Sequence, residues 1–244
     1  MTTPTFLCGQ ESFFIFGKVS PSLGGERGKK KRMKVDFSLY AITGEQFHPG
    51  RHYLQVMEEA IQGGADIIQL REKKKSKKEL LEMARQLKAL CARYEVPFII
   101  NDHVDLVLAV DADGIHLGQD DLPLEEARKI LGPDKIIGIS THHIDEAKRA
   151  EEGGADYIGA GPVFATQTKE DVVDPVGLEY IRQVADEISI PFVAIGGIKL
   201  HNVDQVLEAG ASRICAVSAI VGADDVKGAA EAFAQKIKKH TMRG

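Results

Sequence analysis

The feature that most constrains the fold is a regular alternation of short apolar runs with longer amphipathic stretches. Runs of this length, rich in Ile and Val, are typical of parallel strands that are buried on both faces. Eight such runs follow Val35, namely Phe37–Ile42, Asp66–Leu70, Pro97–Ile100, Gly114–Leu117, Ile136–Ile139, Tyr157–Ala160, Phe192–Ile195 and Arg213–Val217.

The stretches between the runs have helical periodicity, as in the apolar stripe of Leu80, Ala84, Leu87 and Cys91. Eight strand–helix units over residues 35–244 predict an α/β protein, a single (β/α)₈ TIM barrel, whose typical size is about 250 residues. An open doubly wound sheet is the alternative, and the absence of a GxGxxG motif after the first run weakens it.

The leading residues differ in character from the rest. Residues 1–32 contain six Lys/Arg and two Glu, whereas the whole chain has a formal net charge of −5. We therefore expect residues 1–34 to be an extension, unstructured or translated upstream sequence, with Met33 as the native start. A nucleic-acid arm at Lys29–Arg32 is a weaker alternative, because short charge runs are usually solvated.

Composition excludes several classes of protein. The net charge of −5 gives no reason to expect nucleic-acid binding, and no apolar run approaches the roughly 20 residues of a membrane span. Cys8, Cys91 and Cys215 form no CxxC pair, which argues against a thiolate zinc site or a disulfide scaffold. A cytoplasmic enzyme acting on small molecules is the expectation.

In such a barrel the active site lies at the C-terminal ends of the strands. The two-residue strand period puts Gln69, Arg71 and Lys73 on one face after the second strand, where two cations would suit anionic oxygens.

Carboxylates follow the third and fourth strands and suit Mg²⁺, which takes one or two of them. They are Asp102, beside Asn101, and Asp120 and Asp121. The residues alone leave open whether Asp120 and Asp121 bind a metal or only begin a helix. His116 is more typical of a hydrogen-bonded core histidine.

The remaining strand ends offer anion donors. The loop after the sixth strand contains Thr166, Gln167, Thr168 and Lys169, and Ser140 follows the fifth strand. Gly196-Gly197 after the seventh strand and Ser218 after the eighth predict a phosphate site. One phosphate here and a second polyanion near Arg71, Lys73 and Lys169 indicate group transfer with diphosphate departure.

These segments, in this order, resemble the thiamine-phosphate synthase family. The resemblance runs from about Leu39 to the C-terminal helix, and the segments that carry it are Gln69–Lys73, Asn101-Asp102, Asp113–Asp121, Gly138–Ser140, Gly161–Phe164, Thr166–Lys169, Ala194–Ile198 and Val217–Ile220.

The resemblance implies a transferase that joins an aminopyrimidine diphosphate to a (carboxy)thiazole phosphate. Asp102 and Asp121, but not Asp120, would bind Mg²⁺, and Lys169, Arg71 and Ser140 would be catalytic. The pyrimidine substrate would contact Gln69, Leu70, Arg71, Glu72, Lys73, Asn101, Ser140 and Lys169. The thiazole phosphate would contact Thr166, Gln167, Thr168, Gly197, Val217 and Ser218.

Two other functions fit parts of the pattern. A thiazole tautomerase needs the thiazole phosphate site alone, and the combination of Asp102, Asp121, Thr168 and Lys169 argues against it. A non-catalytic phosphate sensor does not need the residues that would bind a diphosphate. We expect small molecules as partners, neither nucleic acid nor membrane, and leave the oligomeric state open.

Overall fold

In the computed structural model, which describes residues 36–166 and 174–242, parallel strands form a closed barrel in the order β1 to β8. The predicted (β/α)₈ barrel is confirmed. The strands are β1 (Leu39–Ile42), β2 (Ile67–Leu70), β3 (Phe98–Asn101), β4 (Gly114–Leu117), β5 (Ile136–Thr141), β6 (Tyr157–Ala160), β7 (Phe192–Ile195) and β8 (Ile214–Cys215).

Helices alternate with the strands and surround them. They are α1 (Tyr53–Gln62), α2 (Lys77–Arg93), α3 (Val104–Val110), α4 (Leu124–Leu131), α5 (Ile144–Glu152), α6 (Gly177–Glu187), α7 (Val203–Glu208), α8 (Val217–Val221) and α9 (Val226–Thr241). In the described parts of the chain, no helix has the length and apolar character needed to cross a bilayer.

The eighth predicted strand extends too far along the chain. Predicted as a strand to Val217, it leaves the sheet at Cys215, and Val217 begins α8. Ile220 and Val221 of this helix are fully buried. A short apolar run has the same composition in a buried strand and in a buried helix, so periodicity could not distinguish the two structures.

Alternation along the strands creates two apolar layers. In β1, Leu39 and Ala41 pack outward against the helices, whereas Tyr40 and Ile42 point into the barrel. Below the strands, the Phe37 ring packs edge-on against Tyr40 and Tyr157, with centroids 5.5 and 5.7 Å away. Because aromatic rings fill this end of the interior, open space remains at the C-terminal ends of the strands.

Three aspartates at the N-terminal end tie neighbouring strands together. Each precedes an even-numbered strand, and its carboxylate accepts a hydrogen bond from the backbone N–H at or beside the start of the strand before it. The pairs are Asp66 with Leu39 (2.8 Å), Asp113 with Phe98 (2.8 Å) and Asp156 with Ile137 (2.9 Å). These side chains therefore stabilise the end of the barrel opposite the cavities described below.

Candidate active site

A cavity of about 400 Å³ lies at the C-terminal ends of the strands. It combines apolar walls with a few convergent polar groups, the usual character of a small-molecule site. Its lining is Tyr40, Ile42, Gln69, Arg71, Asn101, His116, Ser140, Gly159, Val193, Ile195 and Cys215.

A second cavity of about 270 Å³ adjoins the first, with Arg71 and Asn101 in both linings. It extends over the ends of β2 and β3 to Lys73, Asp102 and His103. The first cavity is largely uncharged, whereas the second contains two cations, Arg71 and Lys73, and two carboxyl groups. The pair therefore suits a ligand with a flat polar ring and an anionic tail.

The β2 end supplies residues to both cavities. Gln69 points into the barrel, where its Nε2 donates to the Tyr40 hydroxyl at 2.8 Å. Arg71 lies just beyond the strand, and its backbone N–H donates to Thr43 Oγ1 at 2.9 Å. This bond anchors the chain at the point where the guanidinium group enters the cavities.

Leu70, Glu72 and Lys73 line only the second cavity. Leu70 is also part of the outer apolar layer. Glu72 Oε1 accepts from the backbone N–H of Glu45 at 3.1 Å, and burial raises the pKa of the Glu72 carboxyl group. Glu72 therefore orders the loop after β1 while it borders the cavity.

Asp102 and Asp121 form a carboxyl pair beside the second cavity. Burial, a hydrogen bond to Asp121 and the charge of Asp121 raise the pKa of Asp102 to about 6, and Lys73 and Arg71 oppose this rise. Asp102 also adopts φ 61°, a left-handed conformation that Asp tolerates better than most residues. Strained backbone of this kind is typical of functional sites.

The donor set of this pair fits a hard divalent cation. Two adjoining carboxylates repel each other, and a bound cation would relieve that repulsion. Among the described residues no group of three or more His, Cys, Asp or Glu side chains converges, so a metal here would take its remaining ligands from water and substrate.

The structure distinguishes Asp121 from Asp120. Asp121 Oδ2 accepts from the Gly118 backbone N–H at 2.7 Å and faces Asp102, whereas Asp120 is exposed. Neither caps the following helix, because α4 begins at Leu124 with Pro123 as its N-cap. The reading of these aspartates as a helix start is therefore wrong.

His116 lies in the cavity wall as a hydrogen-bonded residue. Its Nε2 is 2.9 Å from Ser140 Oγ, and its Nδ1 is 3.0 Å from the Tyr157 hydroxyl. Tyr40 and Tyr157 were missed by the sequence analysis. The strand period, applied to β1 and β6, could have placed both side chains inside the barrel.

A glycine turn follows β7. Gly196 and Gly197 have φ values of 101° and 65°, which glycine adopts without strain. A Cβ on Gly197 would lie 2.8 Å from the Ala165 carbonyl oxygen and 2.8 Å from the Phe164 Cβ. The turn therefore needs glycine because the loop after β6 packs directly on it.

Three of the remaining predicted phosphate ligands, Val217, Ser218 and Thr166, are described by the structure. Val217 and Ser218 open α8, where the first N–H groups lack partners within the helix. Thr166 is described, at the end of the loop after β6. Gln167, Thr168 and Lys169 lie outside the described residues.

Comparison with known proteins assigns this barrel to a family. A family model for thiamine monophosphate synthase matches residues 39–220, most of the chain. The chain belongs to the thiamine monophosphate synthase family. The matched residues include every strand and both cavities.

Curated relatives of this family resemble the chain over most of its length. A thiamine-phosphate synthase of Halalkalibacterium halodurans is 73% identical over 198 residues, which cover 81% of this chain and 94% of the relative. A thiamine-phosphate synthase of Clostridium novyi is 46% identical over 202 residues, 83% of this chain and 99% of the relative.

A solved structure agrees with this assignment. Thiamine phosphate pyrophosphorylase from Pyrococcus furiosus superimposes with a TM-score of 0.77 and 39% identity, covering 84% of this chain and 96% of that chain. A geranylgeranylglyceryl phosphate synthase from Thermoplasma acidophilum has a TM-score of 0.61 at 18% identity and shares the fold alone.

Proposed function

We propose that this member of the family is a thiamine-phosphate synthase. It joins 4-amino-2-methyl-5-(diphosphooxymethyl)pyrimidine to a thiazole phosphate and releases diphosphate. The observation that carries the proposal is the charged cavity, which contains Arg71 and Lys73 and adjoins the carboxyl pair, directly beside a larger, mostly uncharged cavity. This arrangement fits an aminopyrimidine whose diphosphate reaches a metal.

The reaction exchanges one bond at the pyrimidine methylene carbon. Its C–O bond breaks with the electron pair going to diphosphate, and the thiazole nitrogen supplies the pair for the new C–N bond. A carboxylated thiazole phosphate also loses CO₂, and a proton takes the place of the carboxyl group. Because the aminopyrimidine stabilises a cation at this carbon, we propose that diphosphate leaves before the new bond forms.

The larger cavity would hold the aminopyrimidine ring, with Gln69, Asn101 and Ser140 as polar contacts. The diphosphate would lie in the second cavity against Arg71 and Lys73, with Lys169 reaching it from the loop after β6. Asp102 and Asp121 would hold Mg²⁺, which when bound neutralises charge on the diphosphate.

The thiazole phosphate would occupy the opposite side of the barrel mouth. The turn at Gly197 and the start of α8 at Val217 and Ser218 would supply backbone N–H donors. Thr166, Gln167 and Thr168 would add side-chain contacts from the loop after β6. With the two substrates bound on these two sides, the thiazole nitrogen would face the pyrimidine methylene carbon.

The chain's own contribution is electrostatic and positional. Arg71 and Lys169 stabilise the negative charge that develops on the leaving diphosphate, and Ser140 orients the pyrimidine ring. No covalent nucleophile is required, because the aminopyrimidine stabilises the cation that forms when diphosphate leaves.

A thiazole tautomerase and a phosphate sensor are the alternatives. Neither needs a carboxyl pair beside a cavity that contains Arg71 and Lys73, so the juxtaposition of Asp102 and Asp121 disfavours both. We further propose that residues 1–34 are an extension to the catalytic barrel of residues 35–244, and that the enzyme acts in the cytoplasm.

Mass spectrometry of a reaction with both substrates and Mg²⁺ tests the proposed function. We expect thiamine phosphate to form, and omission of either substrate to abolish it. A tautomerase would change the thiazole phosphate without the pyrimidine, and a sensor would change neither substrate.

A further inference from the structure

Five hydrogen-bonded side chains cross the barrel interior. Gln69 Nε2 donates to the Tyr40 hydroxyl at 2.8 Å, and the Tyr40 and Tyr157 hydroxyl oxygens lie 2.9 Å apart. The Tyr157 hydroxyl lies 3.0 Å from His116 Nδ1, and His116 Nε2 lies 2.9 Å from Ser140 Oγ. Gln69 and Ser140, the first and last residues of this hydrogen-bonded series, both line the larger cavity.

We call the three middle side chains the relay: Tyr40, Tyr157 and His116. Burial raises the pKa of both tyrosine hydroxyls far above their ordinary value, so each keeps its single proton. Because Tyr40 accepts from Gln69, the direction in which every hydroxyl proton meets an acceptor within the relay runs from Tyr40 to Tyr157 and from Tyr157 to His116 Nδ1. In a neutral imidazole, Nε2–H then donates to Ser140.

We propose that the relay sets the hydrogen-bonding polarity of Gln69 and Ser140 and thereby selects a 4-aminopyrimidine ring over its 4-oxo counterpart. This inference rests on the proposed function. Because one amide N–H of Gln69 is donated to Tyr40, the orientation of the amide is fixed and its carbonyl oxygen is presented as an acceptor. Ser140, which accepts from His116, presents its O–H as a donor.

These two groups match the two ring types differently. A 4-aminopyrimidine carries an amino donor beside a ring-nitrogen acceptor, which complements the Gln69 acceptor and the Ser140 donor. A 4-oxopyrimidine carries a carbonyl acceptor beside an N–H donor and is mismatched to both groups. Unpaired polar groups in a buried site cost binding, and this cost is the basis of such selectivity.

The relay makes this polarity harder to reverse. A lone serine hydroxyl rotates freely, and a lone glutamine amide can turn over to suit either ligand. In the intact relay, reversing Ser140 requires the proton on His116, on Tyr157 and on Tyr40 to change direction together. Tyr40 and Tyr157 are therefore positioning residues that act through Gln69 and Ser140.

Two glycines make room for the rings of the relay. A Cβ on Gly138, which is paired with Tyr157 across β5 and β6, would lie 2.1 Å from Tyr157 Cζ. A Cβ on Gly159 would lie 3.2 Å from His116 Cε1. Glycine at both positions lets the two rings lie directly against the neighbouring strands, where their polar atoms meet.

The test compares the affinity of two unreactive ligands by isothermal titration calorimetry. They are the monophosphates of 4-amino-5-(hydroxymethyl)-2-methylpyrimidine and of its 4-oxo counterpart. Because binding involves no bond cleavage, the stability of the pyrimidine cation does not enter the comparison. The proteins are the wild type, Tyr157→Phe, Tyr40→Phe and the control Tyr180→Phe.

The control removes a comparable hydroxyl outside the relay. Tyr180 is buried and donates to Thr141 Oγ1 at 2.7 Å, next to Ser140 in sequence. We expect the wild type and Tyr180→Phe to prefer the 4-amino ligand by on the order of 100-fold, the effect of two mismatched contacts. Tyr157→Phe and Tyr40→Phe should each reduce that ratio by about tenfold.

An unchanged ratio in a folded Tyr157→Phe or Tyr40→Phe protein would overturn the inference, even if both ligands bound more weakly. A wild type that does not distinguish the ligands would overturn it as well. Since binding is measured without turnover, failure of the proposed function has a separate signature, the absence of thiamine phosphate in the reaction with both substrates.

Discussion

The Asp102 and Asp121 carboxyl groups are neighbours just beyond the ends of β3 and β4, and the charge of Asp121 helps to raise the pKa of Asp102. Two neighbouring carboxylates repel each other, and burial adds to the cost of keeping Asp102 ionised. The pKa of Asp102, raised to about 6, reflects both effects. The pair thus favours a cation bound between the two strand ends.

Asp121→Asn should weaken the response to Mg²⁺. The asparagine carbonyl oxygen can still accept from the Gly118 N–H, so the loop keeps its shape while the site loses charge. The Mg²⁺ concentration for half-maximal activity should rise on the order of 10–100-fold, a loss typical even of groups that only support a metal ligand. The KM for thiazole phosphate should stay near normal.

Asp120→Asn is the matched control for this variant, because Asp120 is the adjacent aspartate and is exposed. Its Mg²⁺ titration should match that of the wild type. If the Asp121→Asn titration matches too, Asp121 is not a metal ligand.

Gly197→Ala should raise the KM for thiazole phosphate more than that for the pyrimidine. The added Cβ would meet Phe164 and Ala165, and the loop that carries Thr166 would have to move. Gly154→Ala is the control, because Gly154 also has positive φ (84°) but no atom lies within 4 Å of the added Cβ. Equal increases in both KM values for Gly197→Ala would indicate general distortion of the site.

Lys169→Ala tests the lysine that the sequence singles out on the loop after β6. If Lys169 stabilises charge on the departing diphosphate, its loss should lower kcat by about 10²–10³-fold. Lys169→Arg should restore part of the rate, since a planar guanidinium group replaces a compact charge.

Lys129→Ala provides a comparison, because Lys129 is exposed on α4 and pairs with Glu126. It should not change kcat. A Lys169→Ala enzyme within about threefold of the wild-type rate, far less than such a group contributes, would exclude an electrostatic role for Lys169.

Asp156→Ala should destabilise the barrel without changing the chemistry. Its carboxylate accepts from the Ile137 backbone N–H at 2.9 Å and pairs with Arg128 at 2.6 Å, with 7% of the side chain exposed. Removing the carboxylate leaves these donors without their acceptor, so the free energy of unfolding should fall by about 1–3 kcal/mol. Urea denaturation measures this change.

Asp134→Ala, at an exposed position, should leave the free energy of unfolding nearly unchanged. The kcat of folded Asp156→Ala should equal that of the wild type, because Asp156 lies at the end of the barrel opposite the cavities. A large fall in kcat would contradict a purely structural role.

The fold could be predicted because its evidence is local. Each strand and helix has its own periodicity, and eight repeats of one pattern permit few architectures. The error at Val217 arose where a buried helix and a buried strand have the same apolar composition. The role of Asp66 and Asp156 in tying strands together could not be predicted, because the backbone N–H groups that they bind belong to the preceding strand.

The candidate site was predictable only in part. Gln69, Asp102 and Ser140 stand at strand ends, where barrel geometry points to function. The relay could not be predicted, because Tyr40 and Tyr157 are 117 residues apart and meet only when the barrel closes. Nothing within a single strand marks two inward tyrosines as hydrogen-bonded partners.

The stoichiometry of one reaction tests the proposed metal-assisted transfer most directly. The purified protein is incubated with both substrates, first with a chelator and then with added Mg²⁺, while thiamine phosphate and diphosphate are quantified together. We predict no turnover under chelation and, after Mg²⁺ is restored, one diphosphate for each thiamine phosphate. Undiminished turnover under chelation, or diphosphate release without thiamine phosphate, would contradict metal-assisted transfer between the two cavities.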